Sequence, residues 1–190
     1  MSPRGPNGHW WFGVAACGDK PHKRFRDVRA TQSTEVRWFV RGGGPKLKGA
    51  PVRRCTDSYS VEMLADDVSL KTRVGHGAGV FVKVRSAVLA PIAVGDLWGT
   101  PETWTRWALG PSPISDEAVH VHKVIARRRG VEVVHLVVHD QAWWSVAVCV
   151  RGPELPQLPR EIESHLMHSY SDAHCCAYPA WIGLPTNKGY

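Results

Sequence analysis

VSLKTRVGHGAGVFVKVRSAV, residues 68–88, reads as two short strands folded back on each other around GHGAG. Both runs are rich in β-branched residues, alternate in polarity and are broken by glycines, which is the pattern of a hairpin. In a strand, residues two apart share a face. Lys71 and Arg73 therefore point one way, as do Lys83 and Arg85, while Leu70, Val82 and Val84 point the other. On an open sheet this is an ordinary solvated face over an apolar one. A solvated face usually mixes signs, however, and this one is almost purely cationic. If the sheet closes into a barrel, the charged face becomes an interior where converging Arg and Lys repel unless an anion neutralises them.

The same parity extends outward. In TEVRWFVR, residues 34–41, Glu35, Arg37 and Phe39 share one face and Val36, Trp38 and Val40 the other. Residues 53–60 read as a short strand. Residues 119–128 (VHVHKVIARR), 131–140 (VEVVHLVVHD) and 143–151 (WWSVAVCVR) read as three more, joined by tight turns at Arg129-Gly130 and Gln141-Ala142. TPETWTRWAL, residues 100–109, reads as a short helix with Pro101 in its first position. PREIESHLMH, residues 159–168, is the clearest helix, with Ile162, Leu166 and His165 on one face. The glycine-rich 41–51 is a linker: its GGGPK lacks the Gly-Lys-Ser/Thr ending of a phosphate loop. The tail, 169–190, reads as irregular. The fold class is α+β, dominated by an antiparallel sheet.

At 190 residues, with 43% hydrophobic and 22% charged side chains, the chain has the composition of one globular domain. The formal charge of +7 favours acidic partners such as polyphosphates, nucleotides or nucleic acid, without choosing among them. Five cysteines without a CxxC spacing argue against a disulfide framework and for a reducing cytoplasm. No apolar run approaches the roughly 20 residues of a membrane span. Residues 1–30 form a basic extension whose PHKRFRDVR cluster suits a solvated, poorly ordered arm or a nucleic-acid contact.

Together the ordered series TEVRWFV, DDVSLKTR, VFVKVR, ETWTRW, HKVIARR, a late tryptophan pair and YPAWIG resembles the CYTH superfamily of triphosphate tunnel proteins. These include thiamine triphosphatases, inorganic triphosphatases and class IV adenylyl cyclases. The resemblance covers roughly residues 31 to 183. It implies, for residues 31–190, an antiparallel β-barrel-like tunnel of about eight strands with a few flanking helices. It also implies basic residues that hold a triphosphate, here Arg37, Lys71, Arg73, Lys83, Arg85, Arg106, Lys123 and Arg127, with Arg128 as an alternative to Arg127 if the strand is bulged. Carboxylates would hold Mg²⁺ or Mn²⁺. The family's Glu-x-Glu-x-Lys stands here as Ser33-Thr34-Glu35-Val36-Arg37, so Glu35 is the one carboxylate it supplies for metal and catalysis. In the late strands the positions matched to inward carboxylates are His135 and Cys149; Glu132 and Asp140 have the other parity from His135.

His135 and Cys149, on neighbouring strands, suggest a base–thiol couple; the plainer reading makes Cys149 a small buried residue and His135 part of a wall. His165, His168, His174, Cys175 and Cys176 are dense, but adjacent cysteines suit tetrahedral zinc poorly. His120 and His122 share a solvated strand face. Trp104 and Trp107 flank Arg106 as candidates for stacking on a flat ligand group, while Trp38, Trp143 and Trp144 belong to packing. The sequence thus predicts a cytoplasmic protein that binds a phosphorylated or other anionic ligand in a cationic tunnel, as a divergent triphosphatase-like hydrolase. A non-catalytic polyphosphate, nucleotide or RNA-binding module and an enzyme with repurposed chemistry are the alternatives.

Overall fold

The computed structural model describes residues 30–109, 117–150 and 156–184; the basic extension lies outside them. Eight long strands build the molecule: β1 (Ala30–Arg41), β2 (Val52–Ser60), β3 (Val68–Gly75), β4 (Gly79–Val88), β7 (Glu102–Leu109), β8 (Ala118–Arg128), β9 (Val131–Val138) and β10 (Gln141–Val150). They pair in the order β10-β9-β8-β2-β3-β4-β7-β1, and β1 pairs back to β10, so the antiparallel sheet closes into a barrel. A short hairpin, β5 (Ile92–Val94) with β6 (Leu97–Gly99), and two helices, α1 (Arg160–His168) and α2 (Tyr178–Ile182), complete it, with β11 (His174–Cys175) added to β1.

The barrel has two separate apolar cores. Outside, Ile162 and Leu166 of α1 and Val94 and Leu97 of the small hairpin pack on Val36, Trp38, Val133, Trp144 and Val146. Inside, Phe39, Tyr59, Val121, Leu136 and Trp143 meet Trp181 and Ile182 of α2, with the Phe39 and Trp181 rings stacked at 4.5 Å. Trp143 and Trp144 are thus both buried but on opposite faces of β10, as strand alternation requires. The linker keeps a role in this packing. Leu47 is buried in the outer core, and a Cβ at Gly44 would lie 2.3 Å from the Trp144 ring.

Four local expectations are corrected. Residues 100–109 form not a helix but mostly the strand β7, which joins β4 to β1 and closes the barrel. Thr103, Trp104, Thr105 and Trp107 all favour strands, and pairing on both sides outweighs the helix-start signal of Pro101. The second tight turn lies at His139-Asp140, both at positive φ (46° and 61°), matching the left-handed turn at Arg129-Gly130 (48° and 81°). The tail, read as irregular, carries regular elements: Cys175 of β11 pairs with Trp38, and α2 fills one end of the lumen. His165 does not join the buried face of α1, which consists of Ile162 and Leu166; its ring meets Trp144 edge-on.

Candidate functional site

Parity carries the cations inward. A cavity of about 360 Å³ inside the barrel is lined by Arg37 of β1, Lys71 and Arg73 of β3, Lys83 of β4, Arg106 of β7, and Lys123 and Arg127 of β8. Two carboxylates, Glu35 and Glu132, share that lining, and a third, Asp57 of β2, lies fully buried among the cations. Arg85 is not part of it. It pairs with Glu102 at 3.1 Å, next to the bulge of β4 between Arg85 and Ala87.

Asp57 organises one side. Its carboxylate accepts from Arg73 Nε at 2.6 Å and Nη2 at 2.8 Å, from Lys71 Nζ at 2.8 Å, and lies 2.8 Å from Lys123 Nζ. Lys123 also donates to Tyr59 Oη at 2.9 Å and sits 3.5 Å from the centre of the Tyr178 ring. Burial alone would push the Asp57 carboxyl up, but Lys123, Lys71 and Arg73 outweigh it and hold it far below the usual range. Burial lowers Lys71 and takes Lys123 down to about 7, against the pull of Asp57. Three cations on one carboxylate leave surplus charge, and the most enclosed lysine yields it most readily.

Arg37 organises the other side. It donates to Glu132 Oε1 at 2.7 Å, to Ser145 Oγ at 3.0 Å and to both oxygens of Glu35 at 3.4 Å. Arg127 donates to Glu132 from Nε at 3.0 Å, and Lys83 lies 3.6 Å from Glu35. Burial opposes the charge on Glu35, yet Arg37 and Lys83 keep its pKa near 2. Lys83 and Arg106 are direct cross-strand partners, a like-charge pair on one face, which is destabilising.

His135 and Cys149 do not meet. Cys149 lies opposite Glu35 and lines the cavity, but His135 sits beside Val124 and Trp144 on the outer face of β9. The inward carboxylate of that strand is Glu132, directly across from Arg127. Burial, with Glu35 adding, raises the Cys149 thiol, so it stays protonated at neutral pH and is a poor nucleophile. Trp104 is in the lumen yet fully buried, with Lys83 4.9 Å and Arg85 5.9 Å from its ring centre, while Trp107 has the outward parity. Neither offers an open stacking surface inside. Asp57, Tyr59, Ser145 and Tyr178 complete the site and escaped the sequence reading. Asp57 could have been found as an acid of the same parity as Arg53 and Tyr59, and Glu132 as the opposite charge across the Arg129-Gly130 turn from Arg127.

The carboxylates fit a divalent metal poorly. Mg²⁺ and Mn²⁺ demand several free oxygens, and the oxygens of Glu35, Glu132 and Asp57 already face guanidinium and ammonium groups. Among the described residues no group of three or more His, Cys, Asp or Glu side chains is placed to hold a metal. A larger groove of about 720 Å³ lies outside the barrel between α1 and the 129–130 turn, but none of the paired lumen cations reaches it.

No protein-family model matches the chain, and no curated protein matches it. Among solved structures it is similar to a conserved hypothetical protein from Pyrococcus furiosus, at 11% identity and a TM-score of 0.41, over 77% of this chain and 98% of that one.

Proposed function

We propose that the barrel binds a small phosphate-bearing anion in its lumen, and does so without a resident divalent metal. One observation carries this reading: seven cationic side chains line a cavity of about 360 Å³ in the barrel and meet three carboxylates. With every lysine protonated that is a formal surplus of four positive charges; Arg37, Lys71, Arg73, Lys83 and Lys123 are largely buried while Arg106 and Arg127 reach solvent, and a bound anion offsets the surplus. The cavity size falls at the small end of ligand sites, of roughly 300–1,000 Å³. Arginine forks and lysine point charges together suit phosphate oxygens. The sequence resemblance to triphosphate tunnel proteins points to the same ligand chemistry.

Binding is the proposal rather than metal-assisted hydrolysis, because hydrolysis by that route needs a metal clamp on the transferred group. The available carboxylates are neutralising cations instead. Titration calorimetry with tripolyphosphate in EDTA is the test, paired with a phosphate-release assay in Mg²⁺ or Mn²⁺. The reading expects one salt-sensitive site, unaffected by EDTA, and no turnover. Binding that appears only with metal, together with phosphate release, overturns it in favour of the hydrolase.

A further inference from the structure

The groove of about 720 Å³ outside the barrel runs between α1, the 46–48 loop and the Arg129-Gly130 turn. Its floor is apolar, built from the buried side chains Leu47, Val131, Leu158 and Ile162. Its rim is cationic. Lys46, Lys48, Arg128, Arg129 and Arg160 are all exposed, and a single acid, Glu161, stands among them. Glu161 is already taken by Lys48, at 2.5 Å. Among the described residues, no carboxylate lies within ion-pair distance of the other four cations. The sequence explains how the rim is gathered. Residues 127–129 are three consecutive arginines, and strand alternation sends Arg127 into the lumen and Arg128 out to the groove, where its Nη1 donates to Lys48 O at 3.1 Å. Arg129 is held at φ 48°, in a tight turn whose left-handed first position favours Asn, Asp or Gly. The turn gives no reason for an arginine there; the groove does.

We infer that this groove docks an acidic segment of a partner protein, with an aliphatic side chain anchored on the floor and carboxylates held against the rim. The inference is independent of the anion-binding lumen, because the two sites share no lining residue. An apolar centre ringed by polar groups, with arginine prominent, is the anatomy of a protein interface. Charge complementarity selects the occupant: four unpaired cations attract an acidic partner and repel a basic one. A second copy of this chain carries +7, and the chain's own residues 20–29 are also basic, so both have the wrong sign. The floor selects a peptide over a nucleic acid. No aromatic ring lines the groove, so a single strand finds nothing to stack on. A concave surface cannot enter the grooves of a duplex. An aliphatic side chain, by contrast, gains by leaving water for that floor. The Lys48–Glu161 pair, with side chains 80% and 61% exposed, is weak enough to exchange for a partner carboxylate.

The test is fluorescence anisotropy with short labelled peptides of Glu-Glu-Leu, Glu-Glu-Ser and Lys-Lys-Leu repeats, and with a labelled oligouridylate of equal length. The Glu-Glu-Leu peptide should bind about tenfold more tightly than the Glu-Glu-Ser peptide, the worth of one buried aliphatic anchor. The Lys-Lys-Leu peptide should not bind. Arg129→Asn/Arg160→Glu should weaken the Glu-Glu-Leu peptide about tenfold or more. Both changes suit the local backbone, Asn in a left-handed turn and Glu in the first turn of a helix, so the urea-unfolding midpoint should not fall. Methyl shifts of Leu47, Leu158 and Ile162 on titration should mark the groove. Equal binding of the two acidic peptides, equal binding to wild type and double variant, or no peptide binding at all overturns the proposal. So do methyl shifts confined to Val134 and Leu136 inside the barrel. An oligouridylate that binds more tightly than the Glu-Glu-Leu peptide and is lost in the double variant makes the groove a nucleic-acid surface instead.

Discussion

Lys123 and Asp57 meet at 2.8 Å in the middle of the barrel, both almost wholly buried, and Asp57 is claimed at the same time by Lys71 and Arg73. The carboxylate cannot satisfy three cations in so dry a setting. The lysine that burial has taken down to about 7 from an ordinary 10.5 is the one that gives way. On the proposed function, a bound anion would supply the missing charge and raise that value again.

Anion binding should therefore take up a proton near neutral pH. Below about 7, Lys123 is charged with or without ligand and affinity is flat; above it, binding must protonate the lysine, and affinity falls by at most about tenfold per pH unit. Calorimetry in buffers of different ionisation enthalpy reads the proton directly. Lys123→Met should abolish the slope, and a wild-type affinity that is constant from pH 6 to 9 would sink the idea. Stability moves the other way: between the folded and unfolded values the unfolded chain holds more protons, so this group's contribution rises with pH.

The carboxylates set the acid limit. Glu35, held near 2 against an ordinary 4.5, contributes stability that is complete above 4.5 and lost as pH falls toward 2; Glu132 and Asp57 shift in the same direction. Asp57→Asn leaves three cations without their counter-charge and should cost about 3–5 kcal/mol. Urea unfolding at pH 7 measures it, and tripolyphosphate should restore part of the loss. A variant as stable as the wild type would mean that the cluster is solvated.

Two arginines in one lumen should behave differently. Arg37 bridges Glu35, Glu132 and Ser145, so Arg37→Met is expected to destabilise by about 3–5 kcal/mol. Arg106, with no carboxylate partner among the described residues, should be near neutral or slightly stabilising when changed to Gln, while weakening tripolyphosphate binding about tenfold. Paired unfolding and binding curves check both; equal stability losses would contradict the assignment of Arg106 to ligand.

Cys149→Ala and His135→Gln should leave anion binding within about twofold, since the thiol is protonated and the imidazole lies outside the barrel. Slow reaction of Cys149 with a thiol reagent at pH 7.5, no faster than an ordinary free cysteine, is the companion measurement.

Strand alternation made much of this legible. Lys71 with Arg73, and Lys83 with its partners, share a face because of a period of two, and no tertiary knowledge is needed to see it. Closure was less accessible, since β7 forms a strand only because β1 and β4 flank it. The choice between His135 and Glu132 depended on which parity of β9 faces in. The hairpin register settles it by placing Glu132 across from Arg127. The plug was illegible for another reason: α2 is five residues long, too short for any periodicity, and its Trp181 and Tyr178 are fixed by partners over a hundred residues away.

The most direct measurement is a crystal structure grown with tripolyphosphate and EDTA. The account predicts phosphate oxygens inside the barrel within hydrogen-bonding distance of Arg106, Lys83 and Arg73, with the Asp57 and Arg37 clusters otherwise intact. An anion bound only on the outer surface, or one seated in the lumen only when Mg²⁺ or Mn²⁺ bridges it to Glu35 and Glu132, would contradict it.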